Sequence, residues 1–251
     1  MALPSCYHSV VSNRLYTHLA EIGSLFYHFH FPHRDIAQQI DICLKRYRCQ
    51  RIVFFGGFLD TVQLLQERGY DITYVEYTPE MMAQAKKVLR GMNFVLSDMR
   101  ELNLSEPFDA IILMGRIFTY LHTDFDVQKT FSAFANNLRP GGIVMMDNYE
   151  TGKIDADAYF NGTVEDRRGT EVVRRISTME QIQDHPTLYR WDGVYEHVQG
   201  DQKESFRDAD HILRAFSKDE IEQLLAKSPL AFVEHQPNFE EKSFVTLAQK
   251  R

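Results

Sequence analysis

The stretch Arg51–Glu76, RIVFFGGFLDTVQLLQERGYDITYVE, leaves little freedom to the fold around it. An apolar run, Ile52 to Phe55, meets the pair Gly56-Gly57. Val62, Leu64 and Leu65 follow at helical spacing, and Gly69 breaks the segment. A second run rich in β-formers ends in the carboxylate Glu76. Strand, glycine turn, helix and strand with a terminal acid are the layout of a nucleoside-binding half-sheet.

The flanking chain extends that pattern. Leu15, Leu19, Ile22 and Phe26 recur at helical spacing and predict a helix over 13–29, weakened at Gly23 and ended by Pro32. Ile36, Ile40 and Leu44 predict a second over 34–46. Thr78-Pro79-Glu80 reads as a helix start, with a capping hydroxyl, a first-turn proline and an acid. Gly91 closes that helix. Further strands are expected over 93–96, 108–113 and 143–146, with a helix begun by Thr123 or Asp124 before the last. Strands alternating with helices imply a parallel sheet covered on both faces.

Beyond Tyr149 the pattern changes. Residues 151–170 read as turns and charge, and three β stretches follow, 171–183, 188–199 and 205–216, suited to antiparallel pairing. Ser217 and Glu220 form a capping box. Two final strands are expected over 231–235 and 243–248. The expected organisation is a helical lid over 1–48, a nucleoside-binding core over 49–150, an antiparallel insertion over 151–215, and a helix with a strand pair over 216–251 completing the core.

Composition narrows the function. Hydrophobic residues are 44% and charged residues 25%, enough to bury a sizeable core. A net charge of -7 argues against nucleic acid as the main partner. Cys6, Cys43 and Cys49 have no metal spacing and suggest free thiols in a reducing compartment. With neither a leader pattern nor a run of about 18 apolar residues, the expectation is a cytoplasmic protein without a membrane partner.

Candidate site residues stand at strand C-terminal ends, where open parallel sheets bind ligands. Gly56 and Gly57 let backbone approach a ligand or simply shape a turn. Glu76 can accept from both hydroxyls of a ribose, or stand solvated at a strand end. Tyr77 can lie on an adenine face or pack at the sheet edge. Asp98 can accept from an adenine amino group or cap a turn. After the fourth strand, His122 has an intrinsic pKa suited to taking a proton, though a helix-start histidine reads the same way. Arg116 can bind a carboxylate, or be a surface charge. His28, His30 and His33 form H-x-H-x-x-H, but no acid or cysteine is close in sequence. They read as lid residues, and no metal site is expected.

The acid after strand two, Ser97-Asp98-Met99 after strand three, FDAII in strand four and LRPGG before strand five together resemble class I S-adenosylmethionine (SAM) dependent methyltransferases, over about residues 50–148. The later elements resemble the small-molecule N-methyltransferases of amino sugars. The resemblance implies an α/β fold: a Rossmann-like seven-stranded sheet in the order 3-2-1-4-5-7-6, last strand antiparallel, with an N-terminal helical lid and a small antiparallel β insertion. It implies SAM as cofactor, held by Tyr16 (or Tyr7), Gly56, Gly57, Glu76, Tyr77, Asp98, Met99 and Met114. His122 and Tyr120 become catalytic candidates and Arg116 a substrate-binding one. The sequence departs from the family's first motif: Val53 stands where an acid belongs, and Phe55 and Leu59 where glycines belong. Both side chains are expected to crowd the methionine end of SAM.

Three functions fit. The first is methyl transfer from SAM to a small molecule in a biosynthetic pathway. The second is another transfer or rearrangement in the same pocket, suggested by Phe55, Leu59 and Arg116. The third is a non-catalytic subunit of the same fold. The exposed insertion also offers a surface for a homodimer.

Overall fold

The computed structural model describes residues 14–154 and 159–251, so Tyr7 and Cys6 lie outside the described residues. Five strands run parallel: β1 (Arg51–Phe55), β2 (Asp71–Glu76), β3 (Asn93–Leu96), β4 (Phe108–Leu113) and β5 (Leu138–Tyr149). The sheet ends with a pair from the C-terminal part, β10 (Leu230–Pro237) and β11 (Ser243–Lys250). β11 lies antiparallel to β5. The spatial order is β10-β11-β5-β4-β1-β2-β3. Counting β10 and β11 as the sixth and seventh core strands, this is the expected order 3-2-1-4-5-7-6.

The continuous apolar runs are sorted by the strand period of two. Ile52, Phe54, Ile112 and Met145 enter one core cluster, while Val53, Phe55, Ile111, Val144 and Met146 enter the other. Helices cover both faces: α1 (Ala20–His30), α2 (His33–Arg46), α3 (Leu59–Glu67) and α4 (Pro79–Val88), then α5 (Asp124–Asn137) and α6 (Lys218–Ala226). Local signals set several starts. Thr78 accepts from Met81 N, Thr123 from Asp126 N, and Ser217 and Glu220 complete both bonds of their box. The acid of FDAII is a brace: Asp109 accepts from the backbone N of Gln50 and Arg51, both at 2.8 Å, and from Arg139.

The structure corrects two expectations. The first helix does not run from 13. A short helical turn at Arg14–Tyr16 precedes α1, and the chain folds back so that Leu15 rests on Gly23, where a Cβ would stand 3.0 Å from Leu15 Cδ1. Leu15 thus shares the apolar period of α1 without being part of it. The insertion has four strands, not three: β6 (Gly162–Arg168), β7 (Glu171–Ile182), β8 (His185–Gln199) and β9 (Gln202–Arg214), paired in that order. β6 is an edge strand, so Glu165, Asp166, Arg167 and Arg168 are tolerated where a central strand would need apolar residues. Among the described residues, no helix is long and apolar enough to cross a membrane.

Candidate functional site

The sheet brings Gly56, Gly57, Glu76 and Asp98 to adjacent strand ends, after β1, β2 and β3. Gly56 has φ +103°, and a Cβ there would meet Met114 O at 2.3 Å. Burial raises the Glu76 carboxyl to about 6, against backbone bonds from Tyr77 and Thr78 and one from the Tyr74 hydroxyl. Tyr77 N and Thr78 N both donate to Oε1, at 2.7 and 3.3 Å. Among the described residues, Oε2 receives only the Tyr74 hydroxyl, at 3.4 Å. It therefore keeps acceptor capacity for a diol.

The neighbours differ in availability. Asp98 caps the turn Met99–Glu101 through Arg100 N and is bound by the Arg100 side chain, at 2.6 Å from Nη2. Burial opposes its ionisation, yet the bonds from Arg100 hold its carboxyl below the usual range. Tyr77 is 45% exposed, free to serve as a stacking face. Phe55 turns to the α5 side, its ring 5.7 Å from that of Phe134, and Leu59 packs in the opposite cluster. Phe58, which follows the glycines in sequence, is fully buried against Phe31, His33 and Phe239.

The lid is tied across this row. Thr78 Oγ1 donates to Tyr16 O at 2.6 Å, and the hydroxyls of Tyr16 and Tyr27 share a bond of 2.7 Å. A Cβ on Gly57 would stand 2.8 Å from the Tyr27 ring, so Tyr27 sits directly on the glycine turn.

Next to the row lies a cavity with about 520 Å³ of empty space, its mouth included. The lid supplies Tyr16 and Tyr27, the turn after β4 supplies Gly115, Arg116, Thr119 and Tyr120, and the insertion supplies Arg175, Trp191 and Tyr195. Tyr149 and Tyr159 add to the wall, along with apolar side chains. Burial raises the hydroxyls of Tyr16, Tyr27, Tyr120 and Tyr195 well above their ordinary range. Tyr159 is the exception. Burial raises it too, but Arg175, Arg116 and Lys242 outweigh that and bring it down to about 8.

Arg116 lies in this wall with φ 58°, 4% exposed, its guanidinium over the rings of Phe31, Tyr149, Tyr159 and Phe239. Its charge has a carboxylate partner, although Nε lacks a hydrogen bond. Glu240 pairs with Nη2, and buried Asp147 accepts from the backbone N of Gly115 and Arg116. His122 is not in the cavity wall. One ring nitrogen, Nε2, bonds Ile212 O at 2.8 Å, and burial lowers its pKa. His122→Gln keeps a donor for that carbonyl and is expected to leave the transfer rate within about threefold of the parent. Loss of a proton-taking group would instead lower it by about 10²- to 10⁴-fold. Single-turnover rates distinguish the two. The triad of lid histidines is likewise dispersed: His28 bonds Asp60, His30 bonds Asp166, and His33 bonds Thr61 and Tyr27 O.

Sequence reading missed Tyr27, Tyr149, Tyr159 and Arg175. Arg175 left one usable trace. It shares the inward register of β7 with Val173, Ser177 and Met179, a charge on a buried face.

Comparison with known proteins agrees with the architecture. Residues 56–142 match the family model of a methyltransferase domain. Over 104 residues the chain is 29% identical to a dTDP-3-amino-3,4,6-trideoxy-alpha-D-glucopyranose N,N-dimethyltransferase of Streptomyces venezuelae, covering 41% of this chain and 44% of that protein. Over 103 residues it is 35% identical to a glycine/sarcosine N-methyltransferase of Halorhodospira halochloris, covering 38% of each. The matches thus span less than half the length of these curated relatives. Among solved structures, DesVI of Streptomyces venezuelae superposes with a TM-score of 0.79 at 21% identity, over 93% of this chain and 98% of that one. The fold of the chain is that of the Rossmann-like methyltransferases, with the inserted antiparallel sheet.

Proposed function

We propose that the protein transfers a methyl group from SAM to an amine on a small molecule. The observation that carries this reading is the position of Glu76. It is a buried carboxylate with open acceptor capacity, at the end of β2, one strand from a glycine turn, with the aromatic cavity alongside. The matched methyltransferase domain and the amine-methylating relatives support the same reading.

In this reading Glu76 takes the ribose hydroxyls, Tyr77 the adenine face, and the backbone of Gly56-Gly57 and Met114 the methionine end. Asp98, already bound to Arg100, orders the turn that borders the base. Bound SAM supplies an electrophilic methyl on a sulfonium. Tyr27 must leave Gly57 before that site fills, which makes the lid part of cofactor entry. The cavity orients the acceptor and keeps water out. An amine nucleophile needs its lone pair free and correctly placed, so position does most of what catalysis requires.

Calorimetry with SAM and S-adenosylhomocysteine, followed by product mass, tests the proposal. Binding plus the gain of one methyl group on an amine supports it. Binding with transfer of a larger group points instead to altered chemistry in the same site. No affinity for either compound overturns the proposal.

A further inference from the structure

Arg175 is buried in the cavity wall, 4% exposed, and Nε has no hydrogen-bond partner. Nη2 donates to Tyr159 O at 2.5 Å. The flat faces of the guanidinium are covered: Cζ lies 4.1 Å from the Tyr159 ring centroid, 5.2 Å from that of Phe26 and 5.7 Å from that of Trp191. The Tyr159 side chain also hydrogen-bonds the guanidinium, and what remains open is Nε, on the edge by which a guanidinium recognises oxyanions.

The contrast with Arg116 decides the matter. Both arginines are buried in the same wall and in both Nε lacks a hydrogen-bond partner, but Arg116 has Glu240 as its ion-pair partner and the carboxylate of Asp147 close by, bonded to its backbone N. Among the described residues no carboxylate pairs with Arg175, and the groups acting on it are Tyr159, Tyr195 and Tyr149. Among the described residues, the cavity wall contains no Asp or Glu. A buried cation with an open donor and no counter-charge is costly unless something supplies the anion.

We propose that Arg175 receives an anionic group, a carboxylate or a phosphate, on the acceptor molecule. The description as acceptor rests on the methyltransferase reading. The anion site itself does not. The acceptor then spans the cavity, its acidic group on the insertion side at Arg175 and its amine toward the turn after β4. The lowered Tyr159 hydroxyl reports the same excess of positive potential.

The test titrates sodium acetate and inorganic phosphate separately into wild-type protein, Arg175→Met and Arg175→Lys, with S-adenosylhomocysteine titrated into each. At least one anion is expected to saturate the wild type. Arg175→Met is expected to weaken it roughly 30-fold or more, with S-adenosylhomocysteine affinity unchanged. Thermal melting establishes that the variant is folded. If Arg175→Met does not fold, Arg175→Lys serves, since it keeps the charge without the fork and is expected to lose about tenfold. Acetate binding alone assigns a carboxylic acid acceptor, and phosphate binding alone a phosphorylated one. Failure of both anions to saturate the wild type, or equal binding by the folded variant, overturns the site. Anion binding without S-adenosylhomocysteine binding supports the site and removes the methyltransferase reading.

Discussion

Glu76→Ala is expected to weaken S-adenosylhomocysteine binding by roughly 10²-fold or more, the loss of two charge-assisted hydrogen bonds of about 1.5 kcal/mol each at the low end. The same change strips Tyr77 N and Thr78 N of their shared acceptor, which adds to the loss. Glu76→Gln keeps one acceptor and is expected to fall between. Calorimetry gives the numbers, and an alanine variant within about threefold of wild type would remove Glu76 from the ribose.

The raised Glu76 pKa adds a pH signature. Ionised Glu76 accepts from both hydroxyls, so affinity is expected to fall as pH drops through about 6, and this dependence disappears in Glu76→Gln. Stability runs in the opposite sense. The folded pKa lies above the ordinary 4.5, so the folded state favours the protonated acid. The contribution is fully present below that ordinary value and is lost as pH rises through the folded one, a difference of about 2 kcal/mol. Denaturant unfolding of wild type and Glu76→Gln across this range measures it.

Gly56→Ala is expected to be the most destabilising small change in the row, by about 3 kcal/mol or more. Two penalties coincide. The residue holds φ +103°, and its Cβ would lie 2.3 Å from Met114 O, a backbone atom of a buried strand end. Gly57→Ala is the control. It has no positive φ, and its Cβ meets the Tyr27 ring at 2.8 Å, so the lid can give way. It is expected to cost about 1–3 kcal/mol. Urea midpoints rank the two, and equal or reversed losses would show that Met114, not Tyr27, yields more easily.

These glycines show what a degenerate motif conceals. Matched to the resembling family, Phe55 and Leu59 stand in glycine positions, where their side chains are expected to crowd the cofactor. The fold sends Phe55 to Phe134 on the other face of the sheet and Leu59 into the core. The residue that presses on the turn is Tyr27, twenty-nine positions before Gly56 and assigned no role by sequence spacing.

What was legible is what local chemistry writes. The period of two sorted the strands between two cores, the box of Ser217 and Glu220 started α6, and Thr78-Pro79 started α4. The placement of Glu76 at a strand end followed from the run of β-formers that it closes. The edge strand β6 was not legible, because an edge pays no penalty for charge and so carries no apolar period. The break before α1 was hidden because Leu15 falls in register with the helix while packing on Gly23 from outside.

By itself the sequence determined the parallel sheet, its order of elements, and the acid and glycines at its ligand-binding ends, since each is recorded in residues a few positions apart. Only the tertiary structure decided which arginine is free. Arg116 meets Glu240, far along the chain, and Arg175 meets no carboxylate among the described residues. Periodicity reveals that a side chain faces inward. It does not reveal which distant segment closes over it, and for a buried charge that segment separates a satisfied ion pair from a binding site.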